Sequence, residues 1–222
     1  MSIDIDFFLT TVEEAVAGKK VPVVDLIAVQ TRDPYKVLTA TILSARTKDE
    51  TTSEAAHRLF RKAPSTEMLA RLSQEEIERL IYPVGFYRNK AKFLKALPAA
   101  LEKYQGQVPD TMDELLSLPG VGRKTANLVL CVAFRKPAIC VDTHVHRIMN
   151  IWRYVDTTTP EQTETELRHK LPRRHWIPVN ALLVAFGQSI CRPVGPRCDI
   201  CPLEQLCPKK GVTPRRVFTA AV

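Results

Sequence analysis

The chain has 222 residues, enough for one large domain or two small ones, and its 45% hydrophobic and 25% charged residues are the balance of a globular protein. No apolar run approaches the roughly 18 residues that a membrane span needs, and no signal peptide is visible, so we expect a cytoplasmic protein. The formal net charge of +8 favours a polyanionic partner, most often nucleic acid, although a solvated basic surface would give the same charge.

Helix signals recur along the chain, whereas strand signals are weak. Capping residues, in two cases followed by proline at the first helical position, predict helix starts at Asp33-Pro34, Ser73–Glu76, Thr111–Glu114 and Thr159–Gln162. Apolar spacing predicts helices over 35–45, 91–104 and 179–187, with Gly106 as a cap after the second of these and Pro98 as a kink within it. These patterns predict an all-α fold built from many short helices.

The segment Leu118–Ala126 reads Leu-Pro-Gly-Val-Gly-Arg-Lys-Thr-Ala and lies between two helix-like segments. Gly120 and Gly122 permit a positive φ and a close approach of the backbone to a ligand. The helix that follows them would offer free N–H groups and the positive end of its dipole to an oligonucleotide phosphate. Gly120, Gly122 and Arg123 are therefore candidate DNA-binding residues, although two glycines alone equally suit a tight turn between helices.

Lys124 falls in the first turn of that second helix. An ordinary lysine is protonated, and therefore a poor nucleophile, at neutral pH. The helix N-terminus, the adjacent Arg123 and partial burial are each expected to disfavour the cation, which would free the amine to attack the anomeric carbon of a deoxynucleotide. From the spacing alone, a solvated lysine or one that only touches phosphate is the commoner case.

Asp142 opens the next predicted helix, in the sequence Val-Asp-Thr-His-Val. As an N-cap, its carboxylate would stay ionised beside the helix N–H groups, and it could stabilise positive charge developing on a sugar or steer a nucleophile. His144 and His146 are two residues apart and do not share a helix face, which disfavours a two-histidine metal site. We expect His144 to contact phosphate or a local partner, and His146 to satisfy a local contact.

Four cysteines crowd the C-terminal part of the chain with the spacing C-x6-C-x2-C-x5-C: Cys191, Cys198, Cys201 and Cys207. Thiols stay reduced in the cytoplasm, so this pattern indicates a metal site rather than disulfides. The spacing alone leaves zinc and a [4Fe–4S] cluster open. Cys131 and Cys140 lie in apolar segments and are expected in the core.

Together, the hairpin Leu118–Ala126 with its lysine, the element around Asp142 and the four-cysteine pattern resemble the endonuclease III family. The resemblance runs in order from about Leu26 to Pro208 and covers most of the chain. Each motif alone is of moderate specificity, but their joint order and spacing are highly specific.

The resemblance implies two helical domains that flank a DNA-binding cleft, with a helix-hairpin-helix motif and a C-terminal [4Fe–4S] cluster loop. It implies a bifunctional DNA glycosylase and abasic-site lyase that removes oxidised pyrimidines in base-excision repair. Lys124 would attack the sugar and form a Schiff base, Asp142 would be its carboxylate partner, and the four cysteines would be the cluster ligands. β-Elimination would then nick the strand.

On this basis residues 26–136 are predicted to form a helical-barrel domain that carries the hairpin. Residues 1–25 and 137–222 are predicted to form a second helical domain with the cluster loop. The expected partner is double-stranded DNA with damaged or abasic sites, bound by a monomer that acts at the nucleoid.

Two positions depart from the family pattern. Where the first DNA-facing loop commonly reads Leu-Ser-Ala-Gln, this chain has Leu-Ser-Ala-Arg, so Arg46 would fill the gap left by a flipped base. Where the second loop commonly has leucine, this chain has Phe86, which would separate stacked bases at least as well. The arginine leaves the opposite-base preference open, and Phe86 would otherwise be an ordinary core aromatic.

Two other interpretations remain. The chain could be a monofunctional mismatch glycosylase of the same fold, acting on adenine or on uracil and thymine, although relatives that excise adenine usually lack the lysine. It could also be a non-catalytic, metal-stabilised protein that binds DNA or senses redox state, which would require Lys124 to be inert. Trapping of a covalent intermediate and a nicking assay separate these cases.

Overall fold

The computed structural model describes residues 3–18 and 22–213 of the chain. Regular structure within these residues is helical throughout, which confirms the all-α class predicted from the sequence. The α-helices are α1 (Ile5–Val16), α2 (Val23–Thr31), α3 (Pro34–Ser44), α4 (Asp49–Lys62), α5 (Thr66–Ala70), α6 (Gln74–Ile81), α7 (Tyr87–Leu101), α8 (Met112–Leu116), α9 (Arg123–Val132), α10 (Thr143–Ile151), α11 (Pro160–Lys170) and α12 (Pro178–Ser189). Short 3-10 helices cover Glu102–Tyr104, Arg173–His175 and Cys198–Ile200.

The chain folds as two compact units, each considered within its described residues. One unit is the continuous segment Val21–Cys140, and the other combines Met1–Lys20 with Val141–Val222. The hairpin lysine therefore belongs to the continuous unit, whereas Asp142 and the four clustered cysteines belong to the discontinuous one. The domain bounds at 26, 136 and 137 remain predictions.

Most of the predicted helix starts are confirmed by their capping bonds. The Asp33 carboxylate accepts from the Tyr35 N–H at 2.9 Å, and Ser73 forms a reciprocal capping box with Glu76. The Thr159 hydroxyl accepts from a backbone N–H at the start of α11. The capping box predicted at Thr111 is wrong, because its hydroxyl donates to the Glu114 carboxylate at 2.6 Å and accepts no backbone N–H.

The helix predicted over 91–104 differs from the observed one at both ends. The observed α7 begins four residues earlier at Tyr87 and continues through Pro98 to Leu101, after which the chain tightens into a 3-10 turn. Gly106 closes that turn with a φ of +76° and donates its N–H to the Leu101 carbonyl at 2.9 Å. The C-cap itself is Gln105, which is also left-handed at φ 57°, so the cap predicted at Gly106 lies one residue earlier and Gly106 is the residue that follows it.

In the continuous unit, α3 is the central helix. Its residues Tyr35 and Val37 through Leu43 are buried, and the helices α2, α4, α7 and α9 all pack against it. A helix that is apolar nearly all round needs such complete cover. The burial fixes both the C-terminal end of α3, where the chain enters the loop with Arg46, and α9, which carries the hairpin lysine.

In the discontinuous unit, α12 has the central place, with α1 and α10 packed against it. The Trp152 ring meets the Phe8 ring edge-on at 5.1 Å and lies 6.3 Å from the Phe186 ring. These aromatic contacts tie the N-terminal helix to the two helices that lead to Asp142 and to Cys191. In the described part of the chain no helix is both long enough and apolar enough to cross a membrane.

Candidate functional site

The hairpin consists of α8, a turn over residues 117–122, and α9. Gly120 has a φ of +75°, as predicted, but Gly122 does not: it is an extended N-cap with φ −97° and ψ 177°. No side chain caps the start of α9 from the Gly122 position, and Gly122 and Arg123 are exposed. No N-cap side chain therefore competes with a ligand for the start of α9, which is what the predicted phosphate contact requires.

Gly120 is required by space as well as by conformation. A Cβ built on it would lie 2.6 Å from Cδ2 and 3.0 Å from Cβ of Phe93, on α7. A Cβ on Gly122 would meet no atom within 4 Å. Gly120 therefore allows the turn to pack closely against α7, whereas the space beside Gly122 at the start of α9 is open.

Lys124 lies in the first turn of α9, and its side chain is exposed. The partial burial predicted for it is therefore wrong, because the hairpin turn lies at the surface of its unit and lifts the first turn of α9 out of the core. Only its backbone is held, since the Cys140 thiol lies 3.8 Å from the Lys124 carbonyl oxygen. Cys140 and Cys131 are buried, as predicted.

Asp142 is the N-cap of α10, and it is half-buried. One carboxylate oxygen accepts from the backbone N–H groups of His144 and Val145, each at 2.9 Å. This pair of bonds fixes the carboxylate and leaves the second oxygen out of the cap. The geometry fits both the capping interpretation and the catalytic one, because each needs the side-chain oxygens of Asp142 to be held in place.

Arg147 joins this helix start to the first of the clustered cysteines. Its Nη2 donates to the Cys191 carbonyl at 2.7 Å and lies 3.3 Å from Nδ1 of His144. An arginine can only donate, so Nδ1 of His144 accepts, and the proton of a neutral ring lies on Nε2. His146 meets the Thr163 hydroxyl at 2.7 Å through its Nδ1, which is the local contact predicted for it.

The four clustered cysteines line one pocket beyond the C-terminal end of α12. Its apolar walls include Ile151, Trp152, Phe186 and Ile190. Burial raises the pKa of Cys191 to about 12, with the other three thiols adding to the effect and Arg147 opposing it. Burial also raises the pKa of Cys201 and of Cys207. Such thiols lose their protons at neutral pH when a metal ion binds to their sulfur atoms.

The arrangement of the four thiols bears on the kind of metal centre that this pocket could hold. Four thiolates around one zinc ion lie within about 4 Å of one another, because each Zn–S bond is about 2.3 Å. Among residues 3–18 and 22–213, no three His, Cys, Asp or Glu side chains are arranged to hold a single metal ion. Four cysteine thiols that line one pocket are a donor set that either a zinc ion or an iron–sulfur cluster uses.

Two loops of the continuous unit present the predicted gap-filling residues. Arg46 and Phe86 are exposed, both with left-handed backbones at φ 53° and 57°, and the Arg46 guanidinium lies 5.4 Å from the centre of the Phe86 ring. Phe86 is 59% exposed, so the alternative that it is a core aromatic is wrong. A large aromatic side chain left in solvent is typical of a binding surface.

Sequence reasoning missed the residues that support these loops, namely Lys90, Thr47 and Gly85. Lys90 is 5% exposed and bonds to the first loop, and Thr47 bonds to both loops. A signal was present in the sequence. Lys90 shares the apolar stripe of α7 with Leu94, Leu97 and Leu101, at the spacing of a helix face that is buried.

Comparison with known proteins gives a consistent result. Residues 39–173 match the family model described as HhH-GPD superfamily base excision DNA repair protein. The chain is 49% identical over 176 residues to Endonuclease III of Thermotoga maritima, a match that spans 79% of this chain and 83% of that protein. It is 47% identical over 178 residues to Endonuclease III-like protein 1 of Mus musculus, and this match spans 78% of the chain and 59% of the mouse protein.

A solved structure shows the same fold. It is a trapped covalent intermediate between endonuclease III and DNA, in an estranged-adenine complex, and it matches with a TM-score of 0.83 and 36% identity. The match covers 93% of this chain and 96% of that one.

The two hairpin glycines give a matched pair of substitutions. Gly120→Ala should lower the free energy of unfolding by about 2 kcal/mol or more, because it combines a left-handed backbone with an overlap on Phe93. Gly122→Ala should cost less than about 1 kcal/mol, since its backbone is extended and the space is open. Urea denaturation of both variants measures the difference. Equal losses would contradict the geometry of the turn.

Proposed function

The chain belongs to the endonuclease III family of DNA glycosylases and abasic-site lyases, and we propose that Lys124 is the nucleophile of its reaction. The chain is a bifunctional enzyme of base-excision repair, which releases a damaged base and then cuts the strand. The observation that carries the assignment of the lysine is its place, an exposed amine in the first turn of α9 directly after a bare anion site. A relative trapped in a covalent bond to DNA supports it.

The proposed chemistry starts from the neutral amine. Nζ of Lys124 forms a bond to C1′ of the deoxyribose, while the bond from C1′ to the base breaks and the base leaves with that electron pair and takes up a proton. Opening of the sugar ring gives a Schiff base between Nζ and C1′. Loss of a proton from C2′ then expels the 3′ phosphate, and the strand is nicked. We propose oxidised pyrimidines as the substrates.

Asp142 is proposed as the carboxylate partner of this reaction. Positive charge develops on the sugar as the base departs, and a fixed carboxylate stabilises that charge without having to reorganise. The backbone N–H groups of His144 and Val145 both donate to one carboxylate oxygen of Asp142 and so hold the carboxylate in place. The side-chain conformation in which Asp142 caps α10 is therefore also the conformation proposed for catalysis.

DNA is proposed to bind largely through its phosphates, with affinity that falls steeply as salt rises. The exposed helix start at Gly122 and Arg123 would take a phosphate, with His144 as a further contact and Gly120 as the support of the turn. Arg46 and Phe86 would fill the gap left by the flipped nucleotide, with the arginine facing the opposite base. Action on the chromosome as a monomer at the nucleoid completes the proposal.

The cysteine pocket is proposed to hold a [4Fe–4S] cluster through Cys191, Cys198, Cys201 and Cys207. When bound, the cluster would supply four covalent cross-links to a segment that has little helix of its own. That segment carries Arg192 and Arg197, so fixing it would present cations to the phosphate backbone.

Trapping tests the nucleophile. Borohydride should reduce the Schiff base and leave wild-type protein covalently attached to abasic DNA, and Lys124→Ala should abolish the adduct because no amine remains at C1′. Lys92→Ala, which removes an exposed lysine of α7 in the same unit, should trap normally. Gel separation of the adduct is the measurement, and a wild-type protein that never traps would refute the lyase chemistry.

Substitution of Asp142 by asparagine separates the electrostatic role from the capping role. Asparagine caps a helix as well as aspartate does, so Asp142→Asn should keep the melting temperature and the DNA affinity. Base release should slow by about 100-fold or more, because the charge facing the sugar is lost. Single-turnover excision and equilibrium binding are measured on one preparation. A loss of affinity as large as the loss of rate would make Asp142 structural.

Metal analysis tests the pocket. The purified protein should contain about four irons per chain and absorb visible light. Cys198→Ser should lower the iron content, whereas Cys131→Ser, in the core of the other unit, should leave it unchanged. Zinc in place of iron would refute the cluster, and both readouts are independent of enzyme activity.

A further inference from the structure

Lys90 is a buried cation with all of its hydrogen-bonding capacity used. Its Nζ donates to the carbonyl oxygens of Leu43 at 2.8 Å and Ala45 at 2.5 Å and to the Thr47 hydroxyl at 3.1 Å. An ammonium group has three N–H donors, and each has a partner here. Burial lowers the pKa of Lys90 to about 8, so the group still carries its proton in most molecules at neutral pH.

This arrangement excludes the ordinary role of a lysine in a DNA-binding protein. A side chain that is 5% exposed, with three internal acceptors, has no donor to offer a phosphate. The acceptors lie where α3 ends, and a helix C-terminus leaves carbonyl oxygens without partners. Lys90 therefore holds the first loop, residues 44–48, at the point where it leaves α3.

Thr47 connects the first loop to the second loop, residues 82–86, by hydrogen bonds. Its hydroxyl donates to the Ala45 carbonyl at 3.2 Å and accepts both from Lys90 and, at 3.2 Å, from the Gly85 N–H. The two loops touch here, because a Cβ on Gly85 would lie 2.6 Å from the Arg46 carbonyl oxygen. One hydroxyl and one ammonium thus join residues that are 38 to 47 positions apart.

The two residues that these bonds enclose have strained backbones. Arg46 and Phe86 both adopt the left-handed region, which disfavours any residue with a Cβ, and such conformations persist where the surrounding structure over-determines them. The bonds from Lys90 supply part of that constraint, since they fix the carbonyls on one side of Arg46 and the hydroxyl on the other.

We propose that Lys90 is a positioning residue that sets the opposite-base preference of the enzyme by fixing Arg46 against Phe86. It acts through the two loops and touches neither the DNA nor the reacting sugar. This inference rests on the proposed function, in which Arg46 and Phe86 fill the gap left by the flipped nucleotide.

The test compares two lysines of the same helix. Lys90→Met removes the ammonium group while keeping an unbranched side chain that reaches as far as Cε, and Lys95→Met is the matched control. Lys95 also lies on α7 and also donates to carbonyl oxygens at the C-terminal end of a helix, at 2.9 Å to Ala70 and 2.7 Å to Leu72, but these acceptors belong to neither loop. The purified full-length protein with its metal content intact is used throughout, and melting temperatures confirm that both variants fold.

Base excision is measured on duplexes that carry one lesion opposite each of the four bases in turn. Lys90→Met should slow excision by about tenfold or more and change the ratio of rates among the four opposite bases, because charge-assisted bonds to the loop are lost. Nicking of a single-stranded abasic oligonucleotide, which has no opposite base, should stay within about twofold of wild type. A fluorescent purine placed opposite the lesion should differ in fluorescence between Lys90→Met and wild type, because the stacking of that base is changed. Lys95→Met should change none of these.

A double-substitution cycle decides whether the effect passes through Arg46. In the Arg46→Ala background, Lys90→Met should leave the opposite-base ratio unchanged. The inference is overturned if Lys90→Met slows both reactions equally, or if the ratio shifts as much with Arg46 removed as with it present. If wild type and Arg46→Ala share the same ratio, the gap-filling role of Arg46 fails instead. The two failures are thereby distinguishable.

Discussion

The start of an α-helix leaves backbone N–H groups without partners, and the candidate site depends on two helix starts that meet this constraint in opposite ways. At α9 the N-cap is Gly122, which has no side chain, so no N-cap side chain accepts from the N–H groups there. At α10 the N-cap is Asp142, whose carboxylate takes two of them. The same backbone chemistry suits the phosphate contact proposed at α9 and holds the Asp142 carboxylate in place at α10.

Positive charge in this protein divides between the surface and the interior. Several cations donate to backbone carbonyl oxygens and hold the chain together, among them Arg58 at Leu80, Lys90 at Leu43 and Arg147 at Cys191. The formal net charge of +8 favours nucleic acid as the partner, but it does not show which of the 32 Lys and Arg side chains a phosphate can reach. Burial and the local acceptors decide which cations face the solvent.

The sequence predicted features that depend on local patterns. Helix starts at Asp33 and Ser73, and the left-handed turn at Gly120, follow from the chemistry of one or two residues and agree with the structure. The capping box at Thr111 failed because its hydroxyl had a second available partner, the Glu114 carboxylate, and the spacing of residues does not rank the two.

Features that depend on contacts between residues far apart in the chain could not be predicted from the sequence. The exposure of Lys124 follows from how the hairpin turn seats on α7, which the hairpin motif does not encode. The support given by Lys90 needs the end of α3 and the start of α7 to meet, although the two are far apart in the chain. A lysine within an apolar stripe of a helix indicates that a charged group is buried there, but the pattern does not identify the groups that accept its hydrogen bonds.

The discontinuous unit has a consequence for the order of events during synthesis. The segment Val21–Cys140 is complete once it leaves the ribosome, and its helices can close around α3 without waiting. The apolar face of α1, with Phe8, Leu9 and Val12, packs on α12, which is made only after the whole continuous unit. The apolar face of α1 therefore stays without its partner while the continuous unit is synthesised, and chaperones that bind exposed apolar segments can act on α1 during that interval.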